Sequence, residues 1–151
     1  MTCGLLQVPV NSVVEEALRL FRYNVFFRNF EIKGPADRTL LYALLVVQES
    51  LGRIAASRPQ QWSHAEALKQ LSGWAGSAQL PVPGEAGFSL NAVFPKAEGK
   101  QEADVTREYL LKLRVAIVKA VLAKVYGADG KQPADKWWLS FSKRRFMNKS
   151  L

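Results

Sequence analysis

The sequence predicts an all-α fold in a single domain. About five helices are expected, one of them apolar on every side and surrounded by the others, with an ordered Pro/Gly-rich irregular crossing over residues 79–100. Three observations lead to this. The stretch at about 36–56 is aliphatic all the way round. A longer stretch, Glu102 to Tyr126, repeats an apolar side chain every four residues. Two Ser-x-x-Glu patterns, Ser12-Val-Val-Glu15 and Ser63-His-Ala-Glu66, mark helix starts. The expected division is an N-terminal arm over 1–11 and one helical domain over 12–151.

The arm, Met1 to Asn11, is short and apolar and contains Pro9, so it reads as an extended segment lying against something. Ser12 opens the first helix, whose stripe is Val14, Leu18, Phe21 and Val25, with Ala17 beside it. Glu15, Arg19 and Arg22 fall on the other face. Four aromatics then crowd into Tyr23 to Phe30. Phe26, Phe27 and Phe30 read as a plug in the corner before the next helix, with a hydrophobic docking site as the alternative.

Gly34-Pro35 sets the start of the central helix, because proline fits a first turn where its missing N–H is no loss. Asp37 sits towards the positive end of the helix dipole and Arg53 towards the negative end. Leu40, Leu41, Leu44, Leu45, Val46, Val47, Leu51 and Ile54 cover nearly every side. A helix apolar all round is buried in a core or a membrane. The uncharged run from Thr39 to Gln48 is far short of the ~20 residues a bilayer requires. A core element results, and burying each of those side chains contributes roughly 1.5–3 kcal/mol before chain entropy is subtracted.

Ser57 to Trp62 is a connector, and the second box opens a short helix through Leu68 and Leu71 that is expected to stop at Gly73. His64 is the only histidine and the chain has one cysteine, so metal binding and general-base work lack partners. From Gln79 to Lys100, prolines and glycines forbid a long helix, while Leu80, Val82, Phe88, Leu90, Val93 and Phe94 tie the segment down. Gly84 and Gly87 are not a phosphate loop, since no Gly-Lys-Ser/Thr follows.

The longest helix carries Val105, Tyr109, Leu113, Ile117, Val121 and Val125 as its expected buried stripe. Lys112, Lys119 and Lys124 face out, Glu108 is placed to pair with Lys112, and Gly127 stops the helix. Asp129-Gly130 is a turn. Asp135 can cap a last helix bearing Trp137, Trp138, Leu139 and Phe141, followed by the cations Lys143, Arg144, Arg145 and Lys149. Interleaved rings and cations suit a solvated tail, a contact with an acidic protein, or nucleic acid or lipid. The pattern alone leaves all three open.

The net charge of +8 and pI near 9.8 likewise point to an acidic partner. A length of 151 residues with 48% hydrophobic side chains suits one domain with a real core. The single Cys3 excludes an internal disulfide framework, and Met1–Val10 lacks the basic region of a signal peptide. A soluble cytoplasmic protein is expected. No nucleophile–base spacing or metal-ligand cluster supports an enzyme, and no cofactor is implied.

Several stretches taken together resemble one family. They are Val14-Glu-Glu-Ala17 leading to Asn24-Val-Phe-Phe27, Asn29-Phe-Glu-Ile-Lys33 and Ala36-Asp-Arg-Thr-Leu40. Pro81-Val-Pro-Gly-Glu-Ala-Gly-Phe88, Leu90-Asn91, Lys136-Trp-Trp138 and Lys143-Arg-Arg-Phe-Met-Asn148 continue the series. They resemble subunit 3, the 21 kDa subunit, of the actin-related protein 2/3 complex, in the family's order from about Val13 to Asn148. The resemblance implies an all-α fold with one enclosed helix and a noncatalytic role. It also implies packing on the actin-related protein 3 subunit of a seven-subunit assembly and help in docking on a mother filament during nucleation and branching. ATP would be bound by the actin-related subunits. Members of the family usually carry an additional basic, Gly-Pro-containing piece before the first helix, where here only Met1–Asn11 precedes Ser12. On this reading Lys143, Arg144, Arg145 and Lys149 face an acidic actin or actin-related surface, in the cytoplasm and cytoskeleton. The other reading is a basic helical nucleic-acid-binding protein. Membrane insertion is not expected.

Overall fold

The computed structural model describes residues 9–24, 31–143 and 151, the side chains at 22–24 excepted. Among the described residues five helices follow in order: α1 (Val10–Asn24), α2 (Pro35–Ala55), α3 (His64–Ala75), α4 (Lys100–Tyr126) and α5 (Lys136–Ser140). A 3-10 turn over Phe141–Lys143 continues α5. No strand occurs among the described residues. The expected all-α architecture is therefore what forms.

Helix α2 is the centre. It begins where Gly34-Pro35 places it, with Gly34 at the N-cap and Pro35 in the first turn. The Asp37 carboxylate accepts from the Lys33 N–H at 2.9 Å, which ties down the chain just before the helix. Leu41, Leu44, Leu45, Val46, Val47, Leu51 and Ile54 are fully buried, and Tyr42 and Ala43 with them. Of the eight aliphatic residues expected inside, only Leu40 is half-buried. Thr39 and Ser50 are also buried, and each hydroxyl donates to a carbonyl one turn back, Pro35 at 3.1 Å and Val46 at 2.8 Å. Their polarity is thus satisfied inside the helix. Helix α2 packs against all four other helices and the 3-10 turn.

Helix α1 starts earlier than the Ser12 box predicts. The Pro9 carbonyl accepts from the N–H groups of Ser12 and Val13, at 3.1 and 3.5 Å, so Ser12 is already in the first turn and does not cap. A proline just ahead of a helix has no N–H to leave unsatisfied, and Pro9 takes the starting position. Val14, Ala17, Leu18 and Phe21 are buried as expected, joined by Val13, while Glu15 and Arg19 are exposed. Val25, the Arg22 side chain and the plug of Phe26, Phe27 and Phe30 lie outside the described residues.

The connector to α3 is organised by Ser57. Its hydroxyl donates to the Ile54 carbonyl at 2.6 Å and accepts from the Trp62 N–H at 3.0 Å and from Gln61 Nε2 at 2.9 Å. Ser63 caps α3, accepting from the Glu66 N–H at 3.3 Å, while the Glu66 carboxylate accepts from Gln70 Nε2 at 2.8 Å. The helix does not stop at Gly73 but runs on to Ala75. A lone glycine weakens a helix by about 1 kcal/mol, and here burial of Ala75 and packing of Trp74 on the core outweigh it. Leu68, expected on the apolar side, is exposed, whereas Ala67 and Leu71 are buried.

The crossing over 79–100 is ordered and irregular, as expected, and is pinned by polar side chains as well as apolar ones. Leu80, Val82, Phe88, Leu90 and Phe94 are buried. Asn91 accepts from the Gly84 N–H at 2.8 Å and donates to the Glu85 carbonyl at 2.7 Å. Arg107 of α4 donates to the Leu80 carbonyl at 2.9 Å and pairs with Glu85 and Asp104. Arg38 of α2 donates to the Val93 carbonyl at 2.9 Å.

Helix α4 spans 27 residues, roughly 40 Å. Tyr109, Leu113, Ile117, Val121 and Val125 are buried, but Val105 is 41% exposed and Thr106 takes its place. The geometry explains the miss. Each four-residue step overshoots a full turn by about 40°, so a four-residue row drifts round the helix, and its first member, Val105, falls at the edge of the buried face. The buried side chains are adjacent pairs repeated every four residues, from Tyr109 and Leu110 to Val125 and Tyr126, and in the turn before them only Thr106 is inside. Lys112, Lys119 and Lys124 are exposed, and Lys112 pairs with Glu108 at 2.9 Å. The helix ends at Gly127, whose φ of +79° is a conformation that favours glycine.

Candidate partner-contact surfaces

The C-terminal end of the described chain joins aromatic rings to cationic residues. Asp135 caps α5 by accepting from the N–H groups of Trp137 and Trp138, at 2.8 and 3.4 Å. That cap fixes which way the rings point. Leu139 and Phe141 enter the core, where the Phe141 ring meets Phe21 edge-on at 6.0 Å. Trp137 stands 49% exposed, edge-on to Trp138 at 5.3 Å and to Phe141 at 4.9 Å. Lys143 ends the 3-10 turn and is exposed. Of the four cations singled out in the sequence, Lys143 is thus placed beside this aromatic group, while Arg144, Arg145 and Lys149 lie outside the described residues.

A trough along α1 and α4 begins beside this end. Trp138 lines a cavity of about 360 Å³ with Leu18, Arg19, Lys124 and Glu15. Glu15 also borders a larger groove of about 840 Å³, walled by Val14, Leu111, Val115, Ala116 and Ala120 and rimmed by Lys112 and Lys119. Cations flanking apolar walls, with one glutamate between, suit an acidic, partly apolar protein surface.

His64 does no polar chemistry that the geometry reveals. Its ring meets Tyr126 edge-on at 5.8 Å, and a side chain at Gly130 would run into it. The Tyr126 hydroxyl donates to the Trp62 carbonyl at 2.8 Å, and burial raises its pKa. His64 is therefore a packing group at the junction of α3 and the turn after α4. Among the described residues no cluster of histidine, cysteine, aspartate and glutamate could hold a metal ion.

One polar centre was not legible in the sequence. Arg114, on α4, is 7% exposed. Its Nε donates to the Tyr42 hydroxyl at 2.7 Å, and its guanidinium lies 4.6 Å from the Trp74 ring centre and 5.7 Å from that of Tyr42. The Tyr42 pKa is raised by burial, which outweighs the lowering by the Arg114 charge and hydrogen bond. The available signal was register: Arg114 stands midway between Leu110 and Val118 on the buried face.

Comparison with known proteins agrees with the sequence resemblance. The profile of the family described as the ARP2/3 complex ARPC3 (21 kDa) subunit matches residues 6–151. Actin-related protein 2/3 complex subunit 3 of Schizosaccharomyces pombe is 44% identical over 140 residues, covering 93% of this chain and 76% of that protein. The probable subunit 3 of Caenorhabditis elegans is 40% identical over 149 residues, covering 96% and 76%. Subunit 3 of Saccharomyces cerevisiae is 38% identical over 148 residues, covering 95% and 80%.

Proposed function

Because the chain belongs to the ARP2/3 complex ARPC3 (21 kDa) subunit family, we propose that it is a noncatalytic structural subunit of an actin-related protein 2/3 complex. In this reading it packs on the actin-related protein 3 subunit and helps the assembly contact a mother filament while a branch is nucleated, in the cytoplasmic cytoskeleton. The single observation that carries it is the family match across residues 6–151. The fold supports it: the apolar side chains close around α2, while Lys112, Lys119 and Lys124 of α4 and Trp137 of α5 are left on the outside. The partners are the other subunits and the actin filament; no nucleic acid or membrane insertion enters the proposal. Among the described residues no helix is long and apolar enough to cross a membrane.

Lys143, Arg144, Arg145 and Lys149 are the proposed filament- or subunit-facing cations. Their charge is the part most easily tested. A complex reconstituted with Arg144→Glu and Arg145→Glu should bind filaments and branch more weakly, with helicity by circular dichroism unchanged. Branching that is undiminished and insensitive to salt would refute the assignment of these cations.

A further inference from the structure

Resting on the complex-subunit reading, we infer that the trough between α1 and α4 seats an acidic amphipathic helix of a neighbouring subunit. The two cavities that share Glu15 follow both helices in the same direction, from Asn11 and Leu111 at one end to Arg19 and Lys124 at the other. The stretch of α4 from Leu111 to Lys124 is roughly 20 Å long, which matches a partner helix of about four turns. Leu111, Val115, Ala116 and Ala120 give the trough an apolar wall. Val115 is 37% exposed, a large aliphatic side chain on the outer face of a helix that otherwise packs inward. Ala116 and Ala120, one turn apart, and Gly76 across from them present little side chain, so another helix can approach closely.

Charge decides the occupant. Arg19, Lys112, Lys119 and Lys124 border the trough, and Glu15 is the one acid among its described lining residues. Lys112 pairs with Glu108 at 2.9 Å, while the other three cations have no ion pair among the described residues. The segments outside the described residues bring no acid to them, since none of residues 1–8, 22–30 and 144–150 is an aspartate or glutamate. A second copy of the chain would bring a further +8 and be repelled. An apolar wall with surplus cations at its rim is complemented by a helix that carries apolar side chains on one face and carboxylates beside them. Lys112 and Lys119 are two turns and about 10 Å apart on one side of α4. Acids two turns apart on the partner helix therefore meet both.

The test uses the chain assembled in the purified complex. A benzophenone-bearing side chain in place of Val115 is photolysed, and the cross-linked peptides are identified by mass spectrometry. The inference predicts a link to a segment of another subunit with acids two helical turns apart beside apolar side chains. A link to a segment without such acids, to residues 1–8 of the same chain, to a second copy, or to nothing overturns it. In parallel, variant chains compete with wild type for incorporation. Val115→Glu, and Lys119→Glu combined with Lys124→Glu, should each lose at least about 10-fold in apparent affinity. All three positions are exposed, so these variants should melt within a few degrees of wild type. Folded variants that incorporate like wild type overturn the docking site. Failure of wild type itself to enter the complex would overturn the subunit reading and this inference with it, so the two failures are distinguishable.

Discussion

Helix α2 and the segment after Asp135 are both rich in large apolar side chains, and they place them differently. In α2 seven of the eight aliphatic residues expected in the core are fully buried, and the helix touches every other described helix. After Asp135, Leu139 and Phe141 turn inward, while Trp137 remains half exposed and Lys143 is exposed. The difference teaches that one chain carries two kinds of apolar surface. One closes on itself and sets stability; the other leaves area for something else to cover. Substitutions in the two regions should therefore separate stability from assembly.

The largest effect belongs to α2. Leu45→Ala should lower stability by about 2–5 kcal/mol, because the fully enclosed site cannot collapse around the lost atoms. Thermal unfolding checks this, and a loss below about 1 kcal/mol would mean that α2 is not the rigid centre described. Alkaline pH probes the same region. Tyr42 and Tyr126 have raised pKa values, so the folded state favours their protonated forms. Their contribution is fully present below the unfolded value near pH 10 and is lost as pH rises through the folded values. Unfolding followed against pH should show stability falling only above about pH 10, with a shallower fall in Tyr42→Phe.

At the C-terminal end the effects are smaller. Asp135→Ala removes the cap of α5 and should cost about 1 kcal/mol, seen as a lower melting temperature and a changed Trp137–Trp138 near-UV signal. Lys143→Glu, at an exposed position, should change stability by no more than about 0.5 kcal/mol. It should nevertheless weaken capture by the complex at moderate salt. If Lys143→Glu unfolded the chain, or Leu45→Ala left it as stable as wild type, the contrast between the regions would fail.

Much of this fold was legible because the strong signals were local. The Gly34-Pro35 start, the all-round apolarity of α2, the Ser63 box, the Gly127 stop and the Asp135 cap each depend on a few adjacent residues. Errors arose where neighbours competed. Pro9 displaced Ser12 as the start of α1, and the packing of Trp74 and Ala75 carried α3 past Gly73. On α4 a repeat of four was extended to Val105, which falls at the edge of the buried face. The Arg114–Tyr42 pair was hidden for a different reason: its members are 72 residues apart, and a charged residue in a helix reads as outward-facing until its register is compared with the core. The C-terminal rings and cations were readable as a chemical pattern, and the described residues include the rings and Lys143.

The most direct test of the central claim is capture of the tagged chain from its own cell extract at moderate and high salt, with the co-eluting proteins identified and quantified. The account predicts two actin-related proteins and further complex subunits in near-equal amounts to the chain. Recovery of nucleic acid, or of the chain by itself, under both conditions would contradict it.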